Sequence, residues 1–308
     1  MINIYKKADD SIQEISSIEK DCWINAIQPN FVELNEISKS LDLPEEFLTD
    51  PLDIDERPRI EIEDEHILII LRIPHYEKDN TLNPYNTIPL GIVYTQDTII
   101  TICSVETEII STFLDRKIKN FSLKNKEKFI FLIFLRTAIL YLKYLKQINN
   151  MTNELERELQ ASMKNHELIK LMDLEKSLVY FSTSLRADEI MIGRLAASKK
   201  FKISADDRDL LEDVWVEYRQ AIEMANVYSN ILSNMLNAFS SLISNKINSV
   251  MKFLASVTII LMLPTLVASI YGMNIPLPFQ ESPYAFIFTM AISMFLAGTA
   301  AIIFLRKK

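Results

Sequence analysis

The chain has 308 residues, 49% of them hydrophobic and 24% charged, which suits one sizeable soluble domain plus a membrane region. A formal net charge of −8 argues against a nucleic-acid partner and suits cations better, although solubility alone explains an acidic surface as well. Only four glycines exist (Gly91, Gly193, Gly272 and Gly298), so no P-loop or G-x-G-x-x-G can be built.

Charges crowd into the first 252 residues, and Phe253 to Leu305 holds one charged side chain, Glu281. Cys22 and Cys103 match no metal or redox spacing, as expected of a reduced, cytosolic setting. The opening MINIYKKADD lacks an apolar core, so no cleaved signal peptide is expected.

In chain order, the first ~120 residues alternate strand-like and helix-like stretches. NFVELNEISKSL and ETEIISTFLDRKI read as helices. RIEIEDEHILIILRI (59–73), TIPLGIVYT and TIITIC read as strands. KFIFLIFLRTAILYLKYLKQI is apolar enough to mimic a membrane span. Arg136 in its middle and Lys143 two turns on predict a helix buried in the soluble domain instead. Helical hairpin material follows from Met151 to about Lys200. Ser204 and Asp207 then read as a capping box, and neither glycine nor proline interrupts the next stretch before Pro264. Sixty helical residues would run roughly 90 Å, far beyond an ordinary globular helix.

That rod leads into FLASVTIILMLPTLVASI (253–270), 18 residues without a charge, and AFIFTMAISMFLAGTAAIIFL (285–305) adds 21 more. Each is long enough to cross a bilayer. The expected fold is an α+β cytoplasmic domain, a sheet with helices, over 1–200. A long stalk helix (201–252), a first transmembrane helix (253–270), an extracellular loop (271–284) and a second transmembrane helix (285–305) follow. Lys246 and Lys252 precede the first span, and Arg306, Lys307 and Lys308 follow the second, while the loop has no Lys or Arg. The positive-inside rule places both termini in the cytoplasm of a multi-pass protein of the cell membrane.

Asn248, Met251, Ala255, Thr258, Met262, Thr265 and Ser269 recur at steps of 3 and 4 and share one helical face. Two readings compete: helix–helix packing through small and polar residues, or the lining of a narrow pore. An ion passing such an uncharged face keeps much of its water. Pro264 deprives the Ile260 carbonyl of its amide partner, as a structural or a gating kink would. Tyr271-Gly272-Met273-Asn274 comes directly after the span. Glycine there permits a tight turn, and the Asn274 amide oxygen is a neutral acceptor for waters around a cation. Mg²⁺ gives up its water reluctantly, so recognition through the shell makes sense.

YGMN between two C-terminal spans resembles the signature of the CorA family of magnesium channels. W-I-N (23–25), L-D-I-D-E-R-P-R-I-E (52–61) and S-N-K-I-N-S-V-M-K (244–252) also resemble that family. The resemblance implies a funnel-shaped homopentamer in the lipid bilayer, with first spans around the pore and second spans outside. It implies that Tyr271, Gly272, Met273 and Asn274 form the selectivity mouth, with Asn248, Met251, Leu254, Met262 and Thr265 along the pore. Leu254 sits at the edge of the stripe drawn above, beside Ala255. The resemblance further implies gating by cytoplasmic Mg²⁺ held between subunits, here by Asp50 and Asp213. Thr49, and Arg136 or Thr137, stand where further acids are expected, which predicts a weaker regulatory site. In the loop IPLPFQES, Glu281 is the one charge available to attract cations.

The expected function is import of hydrated Mg²⁺ down its gradient, with Co²⁺ and Ni²⁺ as further cargo and no organic cofactor. His66, His75 and His166 lie away from the spans. This weakens the alternative of a ZntB-type zinc transporter, which would favour imidazole or thiolate ligands. A non-transporting sensor or scaffold is the third reading, but an anchor needs neither Gly-Met-Asn nor a polar stripe. No set of nucleophile, base and orienter suggests an enzyme.

Overall fold

The computed structural model describes residues 1–8, 11–77, 84–115, 122–162, 165–279 and 282–306. Three strands come first: β1 (Ile2–Ala8), β2 (Ser11–Ile15) and β3 (Cys22–Ile27). Helices α1 (Phe31–Leu41) and α2 (Glu45–Thr49) and a 3-10 turn (Asp50–Leu52) follow. Next are β4 (Arg59–Glu63), β5 (His66–Tyr76), β6 (Tyr85–Tyr94) and β7 (Thr98–Cys103). Five helices complete the chain: α3 (Glu108–Leu114), α4 (Lys126–Ser162), α5 (Asn165–Ala197), α6 (Arg208–Tyr271) and α7 (Ala285–Arg306). The chain divides into two compact units, Met1–Leu236 and Asn237–Lys308.

The first unit is built on one seven-stranded sheet, in the order β2-β1-β3-β7-β6-β5-β4. Only β3 and β7 run parallel; every other pair is antiparallel. The central strands are buried on both faces, which is why they read as near-continuous apolar runs. Side chains alternate across β3. Cys22, Ile24 and Ala26 join Leu34, Ile37, Phe47 and Leu48 beneath α1 and α2. Trp23 points the other way, edge-on to Phe113 of α3 and Phe129 of α4. Its ring N–H donates to Thr101 Oγ1 at 2.8 Å, and Thr101 donates to Asn25 Oδ1 at 2.9 Å. The W-I-N stretch is therefore a core element, with the Trp23 ring N–H and Asn25 Oδ1 tied to Thr101 of β7.

Local signals place these elements. Asn30 accepts from the Glu33 amide at 2.9 Å and Glu33 from the Asn30 amide at 2.8 Å, a capping box that starts α1. Asp42, left-handed at φ 49°, ends it. The charges within RIEIEDEHILIILRI form the turn between β4 and β5, where Asp64 has φ 48°.

Two features differ from the sequence expectation. The apolar stretch after Lys126 is the first half of the hairpin helix α4, so the hairpin begins well before Met151. Phe129, Phe131, Phe134, Tyr141 and Leu145 are fully buried there, as the rejection of a membrane span required. Second, α6 begins at Arg208, one turn after Ser204. Ser204 accepts the Asp207 amide at 3.2 Å in a turn, and Asp207 also accepts from Asn125 at 3.1 Å, anchoring the turn to the start of α4. Helix α6 continues through Pro264 to Tyr271, 64 residues in all.

Gly91 on β6 allows one close approach. A Cβ there would lie 2.5 Å from Pro51 Cβ, so the 3-10 turn carrying Asp50 can rest on the sheet only over a glycine. Gly91→Ala is expected to destabilise the protein by about 1–3 kcal/mol through overpacking, read as a lower denaturant midpoint. An unchanged midpoint would show that the turn moves aside freely.

Candidate ion pathway

Two helices, Arg208–Tyr271 and Ala285–Arg306, include segments long and apolar enough to cross a membrane. Along the apolar part of α6, cover falls on one face. Ser256, Ile260, Leu263 and Pro264 are half-buried and Val267 is buried. On α7 most of the covered residues are small (Ala285, Thr289, Ser293, Ala297, Ala300 and Ala301), with Ile292 and Phe304 half-buried beside them.

The predicted polar stripe lies on the other side of α6. Asn248, Met251, Leu254, Ala255, Thr258, Met262, Thr265 and Ser269 are all exposed. A helix turns about 100° per residue, so Thr258 and Thr265 point about 180–200° away from Val267. Packing within the hairpin therefore leaves the stripe untouched. Leu254 and Ala255 are both exposed, so the stripe is wide enough to hold either as a lining residue. Thr258 donates its hydroxyl proton to the Leu254 carbonyl at 2.9 Å, and Thr265 donates to Leu261 at 3.1 Å. With the protons turned back onto the helix, the hydroxyl oxygens present lone pairs outward as acceptors.

Helix α6 stops at the Tyr271-Gly272 step. Gly272 N–H donates to Ala268 at 2.9 Å and Met273 N–H to Ile270 at 3.2 Å, a tightening of the last turn. Gly272 makes this turn without a positive φ. The closest neighbour of an added Cβ is the Ala268 carbonyl oxygen, at 3.3 Å. Tyr271 O–H reaches the Pro278 carbonyl at 3.5 Å, turning the following loop back toward the helix end. Met273 and Asn274 are exposed, and the Asn274 side chain makes no hydrogen bond among the described residues. Its amide oxygen and both N–H groups are free for water or ligand. Glu281 lies outside the described residues.

The two candidate regulatory acids differ in setting. Asp50, at the start of the 3-10 turn, accepts from Arg59 Nη2 at 2.6 Å. The same guanidinium holds Glu56 through Nη1 and Glu61 through Nε at 3.4 Å. Partial burial disfavours the Arg59 charge, but bonds to Glu56 and Asp50 outweigh it and hold its pKa above the usual value. Asp50 is thus already ion-paired within its own chain, on a guanidinium it shares with two other acids. Asp213, on the first turns of α6, is exposed and has no partner among the described residues. Among those residues, no cluster of three or more His, Cys, Asp or Glu side chains is arranged to hold a metal. Thr137 is fully buried and donates to the Ile133 carbonyl at 2.9 Å, committed to its own helix. Sequence reasoning missed Arg59; its place within the L-D-I-D-E-R-P-R-I-E stretch (52–61) was the available signal.

A family model described as CorA-like Mg²⁺ transporter protein matches residues 19–307. The chain is 31% identical over 295 residues to the cobalt/magnesium transport protein CorA of Methanocaldococcus jannaschii, covering 92% of this chain and 90% of that one. The complete structure of the CorA magnesium transporter from that organism superposes with a TM-score of 0.87 at 26% identity, over 100% and 98% of the two chains. The ZntB cytoplasmic domain from Vibrio parahaemolyticus shares the fold, with a TM-score of 0.61 at 14% identity over 80% of this chain and 98% of that one.

Proposed function

The chain belongs to the CorA-like Mg²⁺ transporter family, and from that membership we propose that it is a homopentameric channel that admits hydrated Mg²⁺ down its gradient. The observation that carries this reading is the stripe from Asn248 to Ser269, polar or small at most positions and exposed opposite the covered face of α6. Facing lipid, such a stripe would waste its acceptors. Facing an axis shared with other copies, it lines a path with outward-turned oxygens and thioethers and no fixed charge. A cation there retains its water, which suits a metal that dehydrates reluctantly. Asn274 and its neighbours Tyr271, Gly272 and Met273 form the mouth. Co²⁺ and Ni²⁺ are further cargo, because their hydrated ions are similar in charge and size. Cytoplasmic Mg²⁺ bound between Asp213 of one subunit and Asp50 of the next holds the channel closed. Because Arg59 already holds Asp50, a divalent ion must compete with a guanidinium.

The experiment is uptake into liposomes containing only this protein, with Mg²⁺- and Zn²⁺-sensitive dyes trapped inside. Mg²⁺ entry driven by its gradient is expected. Zn²⁺ entry without Mg²⁺ entry would instead favour the zinc reading, and entry of neither would leave a sensor or scaffold.

Orientation has its own test. Lys246, Lys252 and Arg306 flank the spans, and no Lys or Arg lies between them. A cysteine at Ser282 is expected to react with an impermeant thiol reagent added outside cells, and one at Ser198 is expected not to. The reverse pattern would place the mouth on the cytoplasmic side.

A further inference from the structure

In a chain of net charge −8, helix α4 shows solvent a basic face. Between Glu127 and Glu154 it carries four cations (Lys128, Arg136, Lys143 and Lys146) and no acid. Lys143 is taken by Glu108 at 2.6 Å. Arg136 and Lys146 have no ion pair among the described residues. Arg136 is half-buried, and its buried Nε has no hydrogen-bond partner. Ile139, one turn on, is 39% exposed, and Lys146 is exposed too. A half-buried guanidinium without an acid, beside an exposed isoleucine, is a surface that a partner would complete.

The first turns of α6 are the reverse. Asp209, Glu212, Asp213 and Glu223 are exposed, and among the described residues none has an ion pair. Val216 in their midst is 61% exposed. Of the arginines nearby, Arg219 is taken by Glu189 at 3.9 Å and Arg208 is exposed. The two faces match in spacing: Arg136, Ile139 and Lys146 step by three and seven, and so do Asp213, Val216 and Glu223. Such steps keep all three residues on one side of a helix. The directions match as well. Helix α5 returns along α4 as a hairpin, and Gly193 faces Trp215 while Glu175 faces Ser233, so α4 and α6 point the same way. Among the described residues, no ion pair joins the two faces within one chain.

We propose that these faces meet between neighbouring copies, in the part of the ring that precedes the spans. Arg136 of one copy lies against Asp213 of the next, Ile139 against Val216 and Lys146 against Glu223. The inference rests on the homopentamer reading. Contact between two unlike faces is head-to-tail, the kind that closes into a ring, and copies around one axis keep their helices pointing the same way. An exposed ion pair contributes little affinity by itself. Opposite charges in register instead fix which turn meets which and reject the meeting of two like faces. At this contact Arg136 gives Asp213 a positive partner at any Mg²⁺ concentration, in addition to an ion shared with Asp50.

Crosslinking of the full-length protein tests this, with native mass spectrometry to count copies. Two chains are co-expressed, one with Ile139→Cys and one with Val216→Cys, and treated with a short bismaleimide. The native Cys22 and Cys103 are buried. Mixed dimers are expected from the co-assembled protein and none from either variant alone. Dimers from one variant alone would show that like faces meet and would overturn the proposal. Pentamers without mixed dimers would overturn this contact and leave the homopentamer standing, whereas monomers would end both. Arg136→Glu on the first chain should slow mixed-dimer formation several-fold, and Asp213→Lys on the second should restore it. If Arg136→Glu does not fold, Lys146→Glu with Glu223→Lys makes the same test. A rate indifferent to these reversals would refute the charge pairing.

Discussion

Asn274→Ala should cut Mg²⁺ flux more than any other single change, by at least about tenfold, with assembly and expression intact. Asn274 has no hydrogen bond to lose within the described residues, so truncating it removes nothing from the fold. What it removes is a neutral acceptor at the end of α6, repeated in every subunit of the proposed ring. A hydrogen bond to a charged partner is worth about 1.5–3 kcal/mol, and about 1.4 kcal/mol is already a factor of ten. Asn274→Asp keeps an acceptor but adds charge, and should hold the ion too firmly to release it quickly. The measurement is dye-reported Mg²⁺ entry into liposomes, normalised to the amount of assembled protein. Full flux through an assembled Asn274→Ala channel would move the selectivity step away from the mouth.

Asp213→Asn should leave the channel open at internal Mg²⁺ concentrations that close the wild type, raising the half-inhibitory concentration by about tenfold or more. A divalent ion between two carboxylates reverses their mutual repulsion, and that differential affinity is what shifts a population of states. Asp213 is exposed and unpartnered, so its full charge is available to a neighbouring subunit. Asp50 is held by Arg59 at 2.6 Å, so Asp50→Asn should shift inhibition less than Asp213→Asn does. Patch recordings with stepped internal Mg²⁺ would compare the two. Equal inhibition of wild type and Asp213→Asn would make Asp213 an ordinary solvated helix acid.

The helices and central strands were legible because their signals are local. The NFVELNEISKSL helix, the apolar runs of β5 to β7 and the two charge-free spans need no tertiary information. The hairpin start was misplaced because α4 changes character along its length: its first half is buried, and only from about Met151 does it show an alternating surface pattern. The edge strand β2 and its neighbour β1 carry glutamate, serine and lysine side chains, and charge at and beside a sheet edge hides the strand period. Of the candidate site, the stripe and the YGMN stretch could be placed by spacing, but whether the stripe was covered by α7 could not. That depended on which face of α7 carries its small residues. The Arg59–Asp50 pair joins the start of β4 to the 3-10 turn, and no spacing rule connects the two.

Along the seam between α5 and α6, Gly193 faces Trp215, Glu189 faces Arg219, Ser182 faces Asn226 and Glu175 faces Ser233. Each step back along α5 is matched by an equal step forward along α6, mostly in sevens. Such a seam constrains how the gene can change length. A single inserted codon within 175–193 would rotate everything beyond it by about 100° and part the remaining pairs. Lengthening by whole heptads, balanced on both helices, would preserve them. Among sequences descended from a common ancestor with this chain, length differences should therefore gather in the connection at 198–207, and be rare or paired within the two helices it joins.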